Sequence, residues 1–250
     1  MHDSTSPSPT TIGTIRKGAI AVPRLEMFRD RHQGERAVLV ANGPSLNRMD
    51  LSFLRGETVI GLNKIYLGLR RFRFYPRYLV AVNRLVIEQA AADLRRLNCV
   101  KFISDNGKHV LPEDALTHHI RTRDLSCRFC RDITHGVNEG STVTYAALQI
   151  AFYMGFQEVV IVGMDHRFKY EGEPNEEQLL EGPDHNHFSP EYFGSGQRWQ
   201  NPDLKRSEES YLLAKEFYEA AGRRIIDATV NGACTVFEKR DYQTLFGTAS

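Results

Sequence analysis

The sequence predicts an α/β fold, a three-layer Rossmann-like parallel sheet with helices on both faces and a long lid insertion near 167–204. Three observations predict it. From Arg36 onward, short β-branched apolar runs alternate with longer stretches of helical periodicity. Two of those runs, ending at Ala41-Asn42-Gly43-Pro44-Ser45 and at Gly163-Met164-Asp165, are apolar throughout and stop abruptly on small polar residues. Strands of a parallel sheet, buried on both faces, read this way. Residues 167–204 then break the rhythm, being polar, rich in Gly and Pro, and without periodicity.

The predicted strands are 37–41, 58–61, 78–82, 100–103, 158–163 and 223–227. Helical spacing recurs over 85–97, with Leu85, Ala91 and Leu94 on one side. It returns over 142–154, with Val143, Ala146, Ala147, Ile150, Ala151 and Met154 together, Ser141 as N-cap and Gly155 as stop. A further helix, 208–221, presents Tyr211, Ala214, Phe217 or Tyr218, and Ala221, and halts at Gly222. A short helix is expected around 24–31. Residues 2–14, rich in Ser, Thr and Pro, read as a disordered tail, so 1–35 forms a tail and lead-in, and 36–250 a single nucleotide-binding domain that includes the lid. An unstructured connection of this length is uncommon in a compact domain. Its six aromatics (Phe168, Tyr170, Phe188, Tyr192, Phe193, Trp199) argue against simple disorder and for a flexible lid that orders over a ligand.

Bulk composition excludes several classes. The 250 residues carry a net charge of +1, so nothing steers the whole chain toward nucleic acid, and no nucleic-acid partner is expected. No apolar run reaches the ~20 residues of a membrane span, and no signal-peptide core is present; the expected location is cytoplasmic, with the inner face of a membrane left open. That opening comes from Arg70-Arg71-Phe72-Arg73-Phe74-Tyr75-Pro76-Arg77, which reads first as a solvated face and second as a contact for phosphate or anionic lipid. Self-association into a homo-oligomer is likewise left open. Cys99, Cys127, Cys130 and Cys234 suit reduced thiols better than disulfides or zinc, since Cys127-x-x-Cys130 has no matching second pair.

Ligands of open parallel sheets sit at the carboxyl ends of strands, where loops enter helices. Asn42-Gly43-Pro44-Ser45 lies at such an end, yet lacks the Gly-Lys-Ser/Thr of a phosphate-binding loop and the G-x-G-x-x-G of a dinucleotide site. It offers an amide, a glycine for close backbone approach and a serine. The competing reading is a structural Asn-Gly turn with a Ser cap. Asn63 and Asn83 end two further strands, and the three asparagines converge on one crevice if the sheet is ordered as expected. Asp165 is the acid of that crevice, or else a cap for the following turn; Arg167 is placed to meet a phosphate. In the lid, Asp184-His185-Asn186-His187 supplies two histidines suited to general base work, and the same H-x-H with Asp184 could ligate a metal. No D-x-D occurs, which counts against a manganese-dependent nucleotide-sugar transferase.

The motif Ala41-Asn42-Gly43-Pro44-Ser45-Leu46 resembles the N-terminal signature of bacterial family-42 sialyltransferases. It is also similar to the family named after the MptE 6-hydroxymethylpterin diphosphokinase, which shares a core with flagellar motility accessory factors. The similarity continues through Gly140-Ser141-Thr142, Gly155–Val159, Gly163-Met164-Asp165, His187-Phe188, Tyr192-Phe193-Gly194 and Asp227-Ala228-Thr229. The sialyltransferase resemblance implies a nucleotide-sugar donor, a cytidine monophosphate (CMP) acidic sugar, transferred without metal to a glycan or small-molecule acceptor. It implies that Asn42, Gly43, Pro44, Ser45, Asn63, Asn83, Ser141 and Thr142 hold the donor. His187, or second to it His185, would be the base. Where that family has tyrosines on the leaving phosphate, this chain has Arg167 and Tyr170. The pterin-kinase resemblance implies ATP with magnesium, and Asp165 near the metal. A non-catalytic nucleotide-binding partner is the third expectation. The overall likeness points toward surface polysaccharide assembly.

Overall fold

A computed structural model describes residues 24–122 and 128–247. Eight strands form one parallel sheet. In chain order they are β1 (Arg36–Val40), β2 (Thr58–Leu62), β3 (Tyr78–Ala81), β4 (Val100–Ser104), β5 (Thr117–Ile120) and β6 (Glu158–Val162), followed, after the separate β7 (Glu177–Leu179) and β8 (Arg198–Gln200), by β9 (Arg224–Asp227) and β10 (Glu238–Lys239). Their order is β10-β9-β6-β1-β2-β3-β4-β5, with every pairing parallel. The chain builds outward from β1 to β5, returns to lay β6 beside β1, and then builds outward the other way. The predicted α/β architecture is therefore present; β5, β10 and the pair β7–β8 are additions to it.

Alternation along β1 shows how both faces become buried. Ala37 and Leu39 point into one apolar cluster, with α3 (Val143–Tyr153) and α4 (Leu204–Ala220). Val38 and Val40 point into the other, with α2 (Arg84–Arg96) and the lid aromatics Phe188, Tyr192, Phe193 and Trp199. The short α1 (Leu69–Phe72) and α5 (Tyr242–Phe246) complete that second face. Every residue from Thr144 to Tyr153 is buried, so α3 is covered all round rather than on one side. Such a helix is apolar all round and lies in the core.

Several local expectations are corrected. Thr142, not Ser141, caps α3, its hydroxyl accepting from the Thr144 N–H, while Ser141 sits at φ +63° just before it. Ala90 replaces Ala91 on the buried face of α2. α4 begins at Leu204 because Asp203 accepts the Arg206 N–H, and it buries Tyr218 while Ala221 is exposed. Residues 24–31 hold one 3-10 turn, Leu25–Phe28. The tail 2–14 lies outside the described residues. Cys99 and Cys234 are free and buried, but Cys130 is disulfide-bonded, so the reading of four reduced thiols fails there; Cys127 lies outside the described residues. No helix among the described residues is long and apolar enough to cross a membrane. In the stretch 70–77, Arg70, Arg71, Arg73, Tyr75 and Arg77 are exposed while Phe72 and Phe74 are buried, as a solvated face requires.

Candidate nucleotide site at the sheet switch point

β1 and β6 are neighbours from which the chain departs in opposite directions, and a crevice opens at the carboxyl ends of such a pair. A cleft of about 910 Å³ lies there, lined by Asn42, Gly43, Asn63, Asn83, Gly140–Thr144 and Gly163–His166 from the sheet rim, and by His187, Trp199 and Asn201 from the lid. Four of the seven non-glycine residues with left-handed backbone among those described, Asn63, Ser141, Asn175 and His166, line it. Such conformations cost ~1–3 kcal/mol each and collect at functional sites.

The rim is braced. Asp165 accepts from the Ser45 hydroxyl at 2.6 Å and from the Ser45 N–H at 3.1 Å, and Gly43 N–H donates to the Gly163 carbonyl at 2.8 Å. These bonds join the loop after β1 to the loop after β6. Gly43 is required by the approach: a Cβ there would collide with Asp165 Oδ2 and lie 2.6 Å from the Gly163 oxygen. Burial pushes the Asp165 carboxyl above its ordinary range, against the Ser45 bonds that favour ionisation. The capping reading of Asp165 is thus realised, at the edge of the cleft. Asn83 is also committed, its Oδ1 capping α2 through the Val86 N–H at 3.1 Å. Asn42 and Asn63 differ. Their Oδ1 atoms are buried and have no hydrogen-bond partner among the described residues. Buried acceptors are nearly always paired, so two orphans on one cleft wall mark a place for a ligand's donors.

The lid is folded rather than loose. β7 and β8 pair antiparallel, with Gln178 opposite Trp199. Phe188 N–H donates to the Asn42 carbonyl at 2.8 Å, and Gln89 clasps the Arg198 backbone by both N–H and C=O at 2.8 Å. Lys64, only 3% exposed, reaches up from the end of β2 to the Tyr192 carbonyl at 2.7 Å and Gln197 Oε1 at 2.6 Å. Burial pulls its ammonium down to about 8, opposed by Asp184 and Asp93. Buried aromatics and these bonds dock the segment against the sheet.

Within the lid, His187 Nδ1 lies 2.7 Å from Asp184 Oδ2, and the ring stacks on Tyr192 at 3.9 Å and 4°. Burial alone would raise the Asp184 carboxyl; the His187 ring and the Asn186 and Phe193 N–H groups outweigh it and hold it below its ordinary value. Asp184 fixes the ring, which leaves Nε2 as the nitrogen available to a substrate. The same bond makes Asp184 and His187 partners of each other rather than joint metal ligands, and no three His, Cys, Asp or Glu side chains gather as a metal site among the described residues.

The structure thus brings Asn42, Gly43, Asn63, Asn83, Ser141, Thr142, Asp165 and His187 to one cleft. Pro44 and Ser45 are not among its lining residues. His185 is exposed and Arg167 is exposed, and neither lines the cleft; Tyr170 turns aside to the Pro202 carbonyl at 3.2 Å. Sequence reasoning missed His166, Asn201, Arg128, Arg206 and Glu139, all on the lining. Burial raises the Glu139 carboxyl. Only the Asn138-Glu139 pair preceding Gly140-Ser141-Thr142 gave a local signal.

No curated protein matches the chain. Among solved structures, a motility accessory factor (MAf) glycosyltransferase from Magnetospirillum magneticum AMB-1 is similar, with TM-score 0.55 and 12% identity over 90% of this chain. That likeness shows the fold, and this chain spans about 40% of the other's length. A family model described as 6-hydroxymethylpterin diphosphokinase MptE-like matches residues 12–171, ending before most of the lid and α4. By that match, which covers most of the sheet and its braced rim, the chain belongs to the MptE-like family.

Proposed function

We propose that the protein is a glycosyltransferase-like enzyme that moves a sugar, a CMP-linked acidic sugar, onto a hydroxyl of a glycan or other acceptor in surface polysaccharide assembly. One observation carries this reading: a carboxylate-oriented histidine, His187 on Asp184, faces the same cleft as the orphan acceptors of Asn42 and Asn63. Asn42 and Asn63 would take donors of the nucleoside, its hydroxyls or base N–H groups. The N-terminus of α3 at Ser141–Thr142 would face the phosphate, as helix N-termini favour anions. In the reaction the acceptor hydroxyl gives its proton to His187 Nε2. Its oxygen bonds the anomeric carbon as the carbon–oxygen bond to the phosphate breaks, the electron pair leaving with CMP. This chemistry requires no metal, and peripheral contact with a membrane or self-association would serve delivery of the acceptor rather than the chemistry.

The family description favours a second reading, magnesium-dependent pyrophosphoryl transfer from ATP to a pterin-like alcohol. Magnesium is usually held by one or two carboxylates plus substrate phosphates. Asp165 fits that demand poorly because Ser45 engages its carboxylate, and Glu139 on the cleft lining is likewise engaged, by Thr122. A thermal-shift series with CMP, CDP, UDP, GDP and ATP, each with magnesium and with chelator, separates the two. A ligand at 100 times its Kd adds about 2.7 kcal/mol. Stabilisation by CMP in chelator supports sugar transfer; stabilisation only by ATP with magnesium replaces it with the kinase, and none at all overturns both.

A further inference from the structure

We propose that His166, oriented by Glu208, binds the phosphate of the nucleotide in this cleft, the task for which the sequence suggested Arg167 and Tyr170. The inference rests on the nucleotide reading above and gives its phosphate a named partner.

His166 follows the bracing Asp165 and takes φ +55°, a conformation disfavoured for a residue with a Cβ. That left-handed turn sends the ring inward while Arg167, the next residue, goes to solvent. Nε2 lies 2.9 Å from Glu208 Oε1 on α4. The ring is 6.0 Å from that of Tyr211, whose hydroxyl is 3.1 Å from Thr142 Oγ1, the cap of α3. The loop after β6, the α3 N-terminus and α4 therefore meet at one corner of the cleft. His166, Ser141, Thr142, Ser207 and Arg206 line that corner together.

The arrangement suits an anion. An imidazolium donates from both nitrogens; with Nε2 on Glu208, the other donor, Nδ1, is left for a phosphate oxygen. The α3 N-terminus adds the positive end of an 11-residue helix. Of the charged groups on this part of the cleft, Glu208 on α4 meets the ring and Asp165, which Ser45 engages, precedes it; Arg206 and Glu209 on α4 also line the cleft. A purely structural role explains the pair less well. Glu208 keeps 45% of its side chain exposed, so the contact buries little, while the left-handed backbone at His166 costs stability.

Calorimetric titration of CMP and of cytidine against wild type, His166→Asn and Glu208→Gln tests this. Asn tolerates the left-handed backbone, and cytidine binding reports an intact cleft. Wild type is expected to prefer CMP over cytidine. In His166→Asn, CMP affinity falls about tenfold or more, the worth of a charge-assisted hydrogen bond, with cytidine affinity unchanged. Glu208→Gln loses a smaller part of the CMP preference. An unchanged CMP preference in His166→Asn overturns the assignment, as does a fall of both ligands in step. If wild type ignores both cytidine compounds but binds adenosine and AMP, the donor reading fails and His166 is judged on the AMP-to-adenosine ratio. Binding of neither pair overturns both.

Discussion

At the sheet rim, Asn42, Gly43 and Asp165 are placed by backbone: two adjacent parallel strands end in register, and Gly43 and Ser45 tie their loops together through Gly163 and Asp165. In the lid, His187 is placed by side chains: Asp184 on one ring nitrogen, Tyr192 against its face, and Lys64 beneath the Tyr192 carbonyl. Position at the rim follows from the fold itself, and the family match covers it. The lid's geometry depends on a few replaceable side chains, most of them beyond residue 171. One scaffold can thus keep its rim crevice while the side chains over it change.

Breaking the rim should cost most. Gly43→Val forces the loops after β1 and β6 apart, so nucleotide binding is lost, and chemical denaturation should show ~1–3 kcal/mol of destabilisation, as for overpacked cores. Gly43→Val that binds as wild type would separate the brace from the site. Breaking the lid should instead spare binding: His187→Ala is expected to lower turnover ~10²–10⁴-fold in a CMP-release assay while the CMP thermal shift stays.

Asp184→Asn sharpens the contrast further. The folded Asp184 carboxyl sits below its ordinary value of 3.8, so its ionised form stabilises the fold above that pH, and the contribution is lost as pH falls through the folded value. Thermal unfolding of Asp184→Asn between pH 2 and 5 should therefore depend less on pH than wild type, and turnover should fall with the loss of ring orientation. Lys64 moves stability with pH in the same direction for a different reason, because burial disfavours its charged form. Its folded pKa of about 8 lies below the ordinary 10.5, so the folded protein holds fewer protons between those values, and stability gains with pH across that window. Lys64→Met should abolish that gain. The smallest effects belong to His185→Ala and Arg167→Ala, which kinetics should find near wild type because neither side chain lines the cleft.

The rim was legible in the sequence because it obeys local rules. Apolar runs ending in Asn-Gly-Pro-Ser and Gly-Met-Asp mark strand ends, and parallel topology brings such ends together. β5 carries no strand signal because Thr117-His118-His119-Ile120 is polar in composition, although His118 is 1% exposed in its setting. The periodicity of α4 starts a turn after its Asp203 cap, so the pattern alone shortens the helix. The direction of side chains near Asp165 was not legible at all. A left-handed turn at His166 swaps which of His166 and Arg167 faces the cleft, and Glu208, 42 positions away, secures the choice. Asn83 shows the reverse failure: it lines the cleft, but much of its polar capacity is spent on a helix cap.

The central claim is that Asn42 holds its place for a ligand rather than for the fold. Its Oδ1 is buried without a hydrogen-bond partner among the described residues, a burden of ~1–3 kcal/mol for the free protein. Asn42→Leu, of similar size, is the direct test, with thermal stability and CMP affinity measured side by side in chelator. The account predicts a variant as stable as wild type or more so, with CMP affinity reduced at least ~10-fold. A destabilised variant that binds CMP unchanged would make Asn42 a structural residue and contradict the account.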